Sequence, residues 1–298
     1  MLDYPSLTAI SAVIREGTFE RAAASLGITP SAVSQRVRGL EERLGAILIV
    51  RGQPCVATDL GRTLCAHLDR VRLLESDLAP SLGSVAGGAG ERLTLPVAVN
   101  ADSLATWFPA AAAAFGRVAD VSLDLALDDE AHTAERLRSG EVMAAVTAER
   151  EPVQGCRTIP LGTLRYAACA SPDFVGRYFA GGVTAAALER APCLRFDRRD
   201  HLQTRWVRAV VGAERIGPVH WVPSTHGFLD MTLVGLGWGM HPCAMAEGHI
   251  ADGRLVDLAP ACRVDVGLHW TATRLQAAAL RRLTQAVRAA AATVLVPP

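Results

Sequence analysis

The sequence predicts a mixed α/β protein: an all-α head, a linker helix and a larger two-lobed α/β domain. Three observations predict it. Residues 18–44 carry two stripes at helical spacing on a helix pair. A leucine-rich seam then runs from Leu60 to Leu82. From Leu93 onward, strand-like apolar runs alternate with helical segments, the pattern of a parallel sheet flanked by helices.

In the head, Leu7, Ile10, Val13 and Ile14 mark a first helix that closes a three-helix core. Thr18 and Thr29 are suited to cap the second and third helices. Gly27 permits a tight turn between them, and Pro30 sits at a first helical position, where its missing N–H costs nothing. Ala22 and Ala23 are small enough for a close helix crossing. On the third helix, about 30–44, Val33, Val37, Leu40 and Leu44 form the apolar stripe. Ser31, Ser34, Gln35 and Arg38 form the other stripe, free of carboxylates. Hydroxyl, amide and guanidinium groups in that order match the base edges of a DNA major groove. The pair therefore reads as a helix-turn-helix, and an ordinary helical hairpin is the plainer alternative. Ile47–Arg51 and Gly52–Pro54 read as a short wing with Arg51 placed for phosphate contact.

Thr58 caps the next helix and is a second expected DNA-backbone contact. Along this helix Leu60, Leu64, Leu68, Val71, Leu74, Leu78 and Leu82 suggest a seam between two copies of the chain. Pro80 suggests a kink or an early stop, and Val85–Gly90 a hinge. Beyond it the expected order is strand Leu93–Val99, helix 102–115, strand Val121–Leu127, helix 131–139 and strand Met143–Thr147. A second unit is expected from about 163, with apolar run Tyr166–Ala170, helices near 201–212 and 226–236, and Trp238–His241. Strand Val264–Thr271 and helix 274–292 return to the first unit. The expected domains are 1–57, 58–90 and 91–298, the last split into lobes 91–162 with 266–298, and 163–265. Two such lobes enclose a cleft, like a periplasmic binding protein.

Composition excludes more than it proposes. No apolar run reaches 18 residues, and the first residues do not resemble a secretory leader, so a cytoplasmic protein with no membrane partner is expected. The seven cysteines show no C-x-x-C pair and read as reduced thiols. Net charge is zero, and residues 1–56 hold six arginines against five carboxylates, so charge alone does not suggest DNA. All thirty basic residues are arginine, which removes a P-loop lysine, a Schiff-base lysine and a Ser-Lys dyad. No G-x-S-x-G elbow or H-E-x-x-H pair is present, and His241-Pro-Cys243 reads as structural. Gly235–Gly239 reads as a helix end and turn. No catalytic residue, metal or cofactor is expected.

Gly17-Thr-Phe-Glu-Arg-Ala-Ala23, Thr29–Arg36 and Leu40–Gly45 resemble the LysR-type transcriptional regulators. Val99–Trp107, Asp128–Thr133, Val222–Phe228 and Gly235–Met240 resemble their lysine- and arginine-sensing LysG/ArgP branch. The resemblance implies a winged head on double-stranded promoter DNA, a basic amino acid in the cleft, self-assembly to a dimer or tetramer, contact with RNA polymerase, and control of an exporter or biosynthetic gene. The alternatives are a regulator of the same build that senses another small carboxylate, a solute-binding module, or an enzyme fused to a DNA-binding head.

Ligands of open α/β sheets bind outside the carboxyl ends of strands, which directs attention to three junctions. Asp128-Asp129-Glu130 either cap a helix or hold a side-chain cation, and the resemblance favours Asp129 and Glu130 as cation partners. At Asn100–Leu104, Asp102 either holds an α-ammonium group or caps a helix, while Ser103 would assist a carboxylate. Thr147, Ser224 and Thr225 face the same crevice, and Trp238 would offer an apolar wall. For each of these the structural role competes with the functional one. His226 and His269 depart from the acidic residue and the tyrosine expected in relatives, leaving ligand preference open.

Overall fold

The computed structural model describes residues 2–78, 93–127 and 133–297. Pro80, Leu82, the Val85–Gly90 hinge and the Asp128–Glu130 triplet lie outside them.

The head contains α1 (Tyr4–Glu16), α2 (Phe19–Leu26), α3 (Pro30–Leu44) and a two-stranded antiparallel wing, β1 (Ile49–Val50) with β2 (Val56–Ala57). Thr18 and Thr29 accept from Arg21 N and Ala32 N, closing the first turns of α2 and α3. Gly17, Gly27 and Gly45 end the three helices in the left-handed region. Leu7, Ile10, Val13, Ala22, Ala23, Val33, Val37 and Leu40 form one core. Leu44 departs from the expected apolar stripe: it is exposed, because α3 ends there and passes beyond the helices beneath it. Glu41 ties α3 to the wing, accepting from Leu48 N at 2.8 Å and Ile49 N at 3.3 Å.

Helix α4 (Asp59–Ser76) carries the expected seam, but the seam divides. Leu64 and Leu68 are only 8% and 2% exposed and complete the head core. Leu60, Leu74 and Leu78 are 41%, 41% and 57% exposed. Spacings of three and four residues keep these leucines on one broad face; the head core covers the Leu64 and Leu68 part of it and leaves Leu60, Leu74 and Leu78 exposed. Gly61 lies where α4 crosses the wing; a Cβ there would run into the Leu48 carbonyl. Leu73 belongs to the core of the following domain, and Asp77 accepts from Ala278 N at 2.8 Å.

That domain is built on a seven-stranded sheet in the order β10-β6-β11-β5-β3-β4, with β9 also on β6. The strands are β3 (Thr94–Val99), β4 (Ser122–Leu127), β5 (Ala144–Thr147), β6 (Cys156–Ala170), β9 (Gly239–Pro242), β10 (Val256–Asp257) and β11 (Val264–Thr273). Only β4-β3-β5 is parallel; the pairings of β6 and β11 are antiparallel, so the expected parallel sheet holds for one part. Strands β6 and β11 run unbroken past the anticipated lobe changes near 163 and 266, with a register shift between Leu268 and His269. The expected helix 102–115 is two helices, α5 (Ala101–Ala105) and α6 (Phe108–Gly116), because Thr106 leaves helical geometry. Helix α7 (Thr133–Ser139) follows β4, and α13 (Ala278–Val294) packs on α6.

The second part contains α8 (Pro172–Tyr178), α9 (Ala185–Arg190), α10 (Leu202–Val211), α11 (Thr225–Leu233) and α12 (Cys243–Ala251). A separate parallel pair, β7 (Cys193–Arg195) with β8 (Val219–Trp221), lies among them. All seven cysteines are free thiols. No helix among the described residues is long and apolar enough to cross a membrane.

Candidate functional site

Two regions offer unsatisfied chemistry. On α3, Pro30, Ser31, Gln35 and Arg38 are exposed and Ser34 is half-exposed, opposite buried Val33, Val37 and Leu40. Ser31 Oγ lies 3.0 Å from Thr29 Oγ1, which holds the first turn. Arg51 is exposed at the wing, its guanidinium 5.1 Å from the centre of the Phe19 ring. Stacking there limits its freedom without burying its charge. Thr58 is more heavily engaged than its sequence suggests. Its hydroxyl donates to Ile47 O at 2.9 Å and Leu48 O at 3.3 Å, and accepts from Gly61 N at 3.1 Å. The side chain therefore locks wing to α4, leaving little capacity for a phosphate.

The other region is a cavity of about 460 Å³. Asn100, Ala101 and Asp102 at the end of β3 meet Leu127, Tyr166 and Ala148 on one side. Phe196, Asp197, Arg199–Leu202, Arg205, Thr225 and Met240–Pro242 line the other. Asp102 is the pivot. Its Oδ2 accepts from Tyr166 Oη at 2.6 Å and its Oδ1 from Thr225 Oγ1 at 2.8 Å, across 123 positions of sequence. Burial raises its carboxyl above the ordinary value; the two hydroxyl bonds pull the other way, and the charge of Asp200 adds to the rise. No arginine offsets it among the described residues. Asn100 Oδ1 is buried without a partner. A carboxylate and an amide oxygen lacking a cation make a cradle for an ammonium or guanidinium group.

The Phe196–Arg205 wall escaped the sequence reading. Asp200 accepts from Phe196 N at 3.0 Å, Leu202 N at 3.1 Å and Gln203 Nε2 at 2.9 Å, which holds its negative charge in place beside the cavity. The signal was present: Asp197-Arg198-Arg199-Asp200-His201 follows an apolar strand, the junction rule already applied to β3, β4 and β5.

Several anticipated residues do other work. Ser103 is fully buried and accepts from Trp107 Nε1 at 3.1 Å, so it supports the α5–α6 join instead of a ligand. Thr147 Oγ1 accepts from Glu149 N at 3.1 Å and does not line the cavity. Ser224 is exposed and caps α11 through Gly227 N, whereas the adjacent Thr225 reaches Asp102. Trp238 is completely buried against Trp206, ring centres 5.2 Å apart, because its backbone pairs beside β7 and turns the indole into the core. Phe228 and Met240 line the cavity in its place. His226 is exposed, and His269 faces Thr147 in the β5–β11 register. His241 lines the cavity but is held neutral: burial, then the charge of His249, takes its pKa down to about 3, and Nε2 lies 3.0 Å from Thr232 Oγ1. Asp129 and Glu130 lie outside the described residues.

Comparison with known proteins bears on both regions. Residues 5–62 match the bacterial regulatory helix-turn-helix proteins of the lysR family, and residues 88–292 match the LysR substrate binding domain. The HTH-type transcriptional regulator LysG of Mycobacterium tuberculosis is 44% identical over 290 residues, 97% of this chain and 94% of the relative. The crystal structure of ArgP from Mycobacterium tuberculosis aligns over the whole of both chains at 42% identity with a TM-score of 0.82. Full-length LysG from Corynebacterium glutamicum with bound effector Arg aligns over 99% of this chain and 100% of that one, at 37% identity and a TM-score of 0.71.

Proposed function

Since the chain belongs to the LysR family of bacterial helix-turn-helix regulators, we propose that it is a DNA-binding transcriptional regulator that responds to a basic amino acid. The observation that carries the ligand class is the buried Asp102 carboxylate, bonded by two hydroxyls, faced by Asp200 and lacking a cation. The relative solved with effector Arg supports the same class.

In this reading an ammonium group of the ligand sits at Asp102, Asn100 and Thr225. The Phe196–Arg205 wall, with Arg205 and His201, faces the ligand carboxylate; this replaces the Ser103 and Thr147 positions. Leu127 lines the cavity and Asp128-Asp129-Glu130 follow it in sequence, so Asp129 and Glu130 remain the proposed partners of the side-chain cation. Pro30, Ser31, Ser34, Gln35 and Arg38 enter a major groove, and Arg51 touches the phosphate backbone. Residues 1–57, 58–90 and 91–298 act as reader, linker and sensor. Self-assembly uses the exposed row Leu60, Leu74 and Leu78 with half-buried Val71, while Leu64 and Leu68 stay within the chain. Contact with RNA polymerase and control of an exporter or biosynthetic gene complete the proposal.

The test is a thermal-shift series on the full chain with all twenty amino acids. A ligand at a hundred times its Kd adds about 2.7 kcal/mol of stability. Lysine or arginine should give the largest shift. A larger shift with a neutral or acidic amino acid overturns the ligand class.

A further inference from the structure

A second cavity, of about 600 Å³, shares no lining residue with the cleft. Its walls come from the start of β6, the end of β11, the Arg274–Gln276 connection and the first turns of α13. The pairing Ile159↔Trp270 and Arg157↔Ala272 puts these four side chains on one face of the sheet. Leu280 and Thr284 stand one turn apart on the facing helix, as do Arg281 and Gln285. Trp270 Nε1 donates to Thr284 Oγ1 at 3.0 Å, which fixes helix against sheet and holds the walls apart.

The floor is apolar: Ile159, Trp270, Ala272, Leu275 and Leu280. Three guanidiniums, of Arg157, Arg274 and Arg281, line it, and no carboxylate does. Arg274 uses only Nε, on Cys156 O at 3.2 Å; Arg281 uses only Nη1, on Gln276 O at 2.6 Å. Each keeps a donor edge, and none of the three has an acidic partner among the described residues. Like charges gathered without counter-charge repel, and an anion in the cavity relieves that cost. Guanidinium edges match the two oxygens of a carboxylate or phosphate, and the volume falls in the range of small-molecule sites.

We infer that this cavity is a second ligand site, for a small organic anion carrying a carboxylate or phosphate on an apolar body. It differs from the cleft, whose lining combines Asp102, Asp197 and Asp200 with Arg199 and Arg205. The inference does not depend on the identity of the cleft ligand.

Calorimetry on the full chain at constant ionic strength tests it, with phenylacetate and phenyl phosphate as probes. Inorganic phosphate and benzyl alcohol supply the charge and the body separately. At least one aromatic anion should bind ten-fold or more tightly than either control, and excess arginine should not displace it. Replacing Arg157 and Arg281 together by Ala should weaken that binding at least ten-fold. Arg157→Gln alone, on an exposed strand position, should weaken it at least three-fold and serves if the double variant does not fold. Absence of binding at millimolar probe, unchanged affinity in Arg157→Gln, equal affinity for inorganic phosphate, or displacement by arginine each overturns the assignment.

Discussion

In the winged head, the side chains proposed to meet DNA on α3 run from Pro30 to Arg38 on one helix, and none is buried. In the cleft, Asp102, Tyr166, Asp200 and Thr225 come from four separate parts of the chain, and the carboxylate at their centre is withdrawn from water. The head presents free donors and acceptors to a partner that brings its own water and counterions. The cleft holds a carboxyl group whose charged form burial disfavours, and in the proposed function a ligand cation offsets that cost. A surface reader therefore loses recognition one contact at a time, whereas the cleft depends on a single group that others hold in place.

The helix between the two regions gives the largest expected effect. Leu68→Ala should destabilise the head by about 2–5 kcal/mol, seen as a lower denaturant midpoint, because it opens a cavity in the core. Leu74→Ala should leave that midpoint nearly unchanged and weaken self-association in sedimentation. The reverse pattern would show that α4 turns its other face to the head.

Asp102→Asn comes next. Loss of one charge-assisted bond, about 1.5–3 kcal/mol, should weaken lysine or arginine binding by roughly ten- to hundredfold while the isolated operator is bound as before. Burial raises the Asp102 carboxyl, so protonation competes with the bound cation. Affinity should therefore fall as pH drops through that raised range, and the Asn variant should show a flatter profile. Without ligand the sign reverses. A folded pKa above the unfolded one favours the neutral form, so stability is lost as pH rises through it, and Asp102→Asn removes that loss. A wild-type pH profile in the Asn variant would take Asp102 out of the site.

On the head the effects are smaller and separable. Gln35→Ala should cost about 1–3 kcal/mol on the preferred operator and less on others, narrowing the preference in gel shifts. Arg51→Ala should weaken all sequences alike and lower the salt slope by about one. Thr58→Val should remove about 1 kcal/mol of stability, with base preference intact, since its hydroxyl serves the wing and the cap. Weaker binding to all sequences alike, with a lower salt slope, in the Thr58 variant would restore it as a DNA-backbone contact.

What was legible follows the same division. Caps, turn glycines, the Pro30 start and the stripes of α3 are local, and each depends on residues within a turn or two. Chain order of the α/β domain was legible too, because strand and helix periods are local signals. Helices α8 and α9 were not: at seven and six residues, burying only Phe174 and only Ala187 with Leu188, they are too short to show a helical period. Asp102 and Thr225 were found at their junctions, yet Ser103 and Trp238 were assigned by proximity in sequence to a cleft that their side chains do not face.

The sequence by itself determined where helices start and stop, which face of α3 is polar, and that strands alternate with helices beyond the linker. These depend on backbone geometry and neighbours a few residues away. The tertiary structure alone decided that Leu64 and Leu68 turn inward while Leu60 and Leu74 do not. It also decided that Tyr166 and Thr225 converge on Asp102, and that Asp200 lies close enough to raise its pKa. Burial and the direction of a side chain are set by residues a hundred or more positions away, and no spacing along the chain records them.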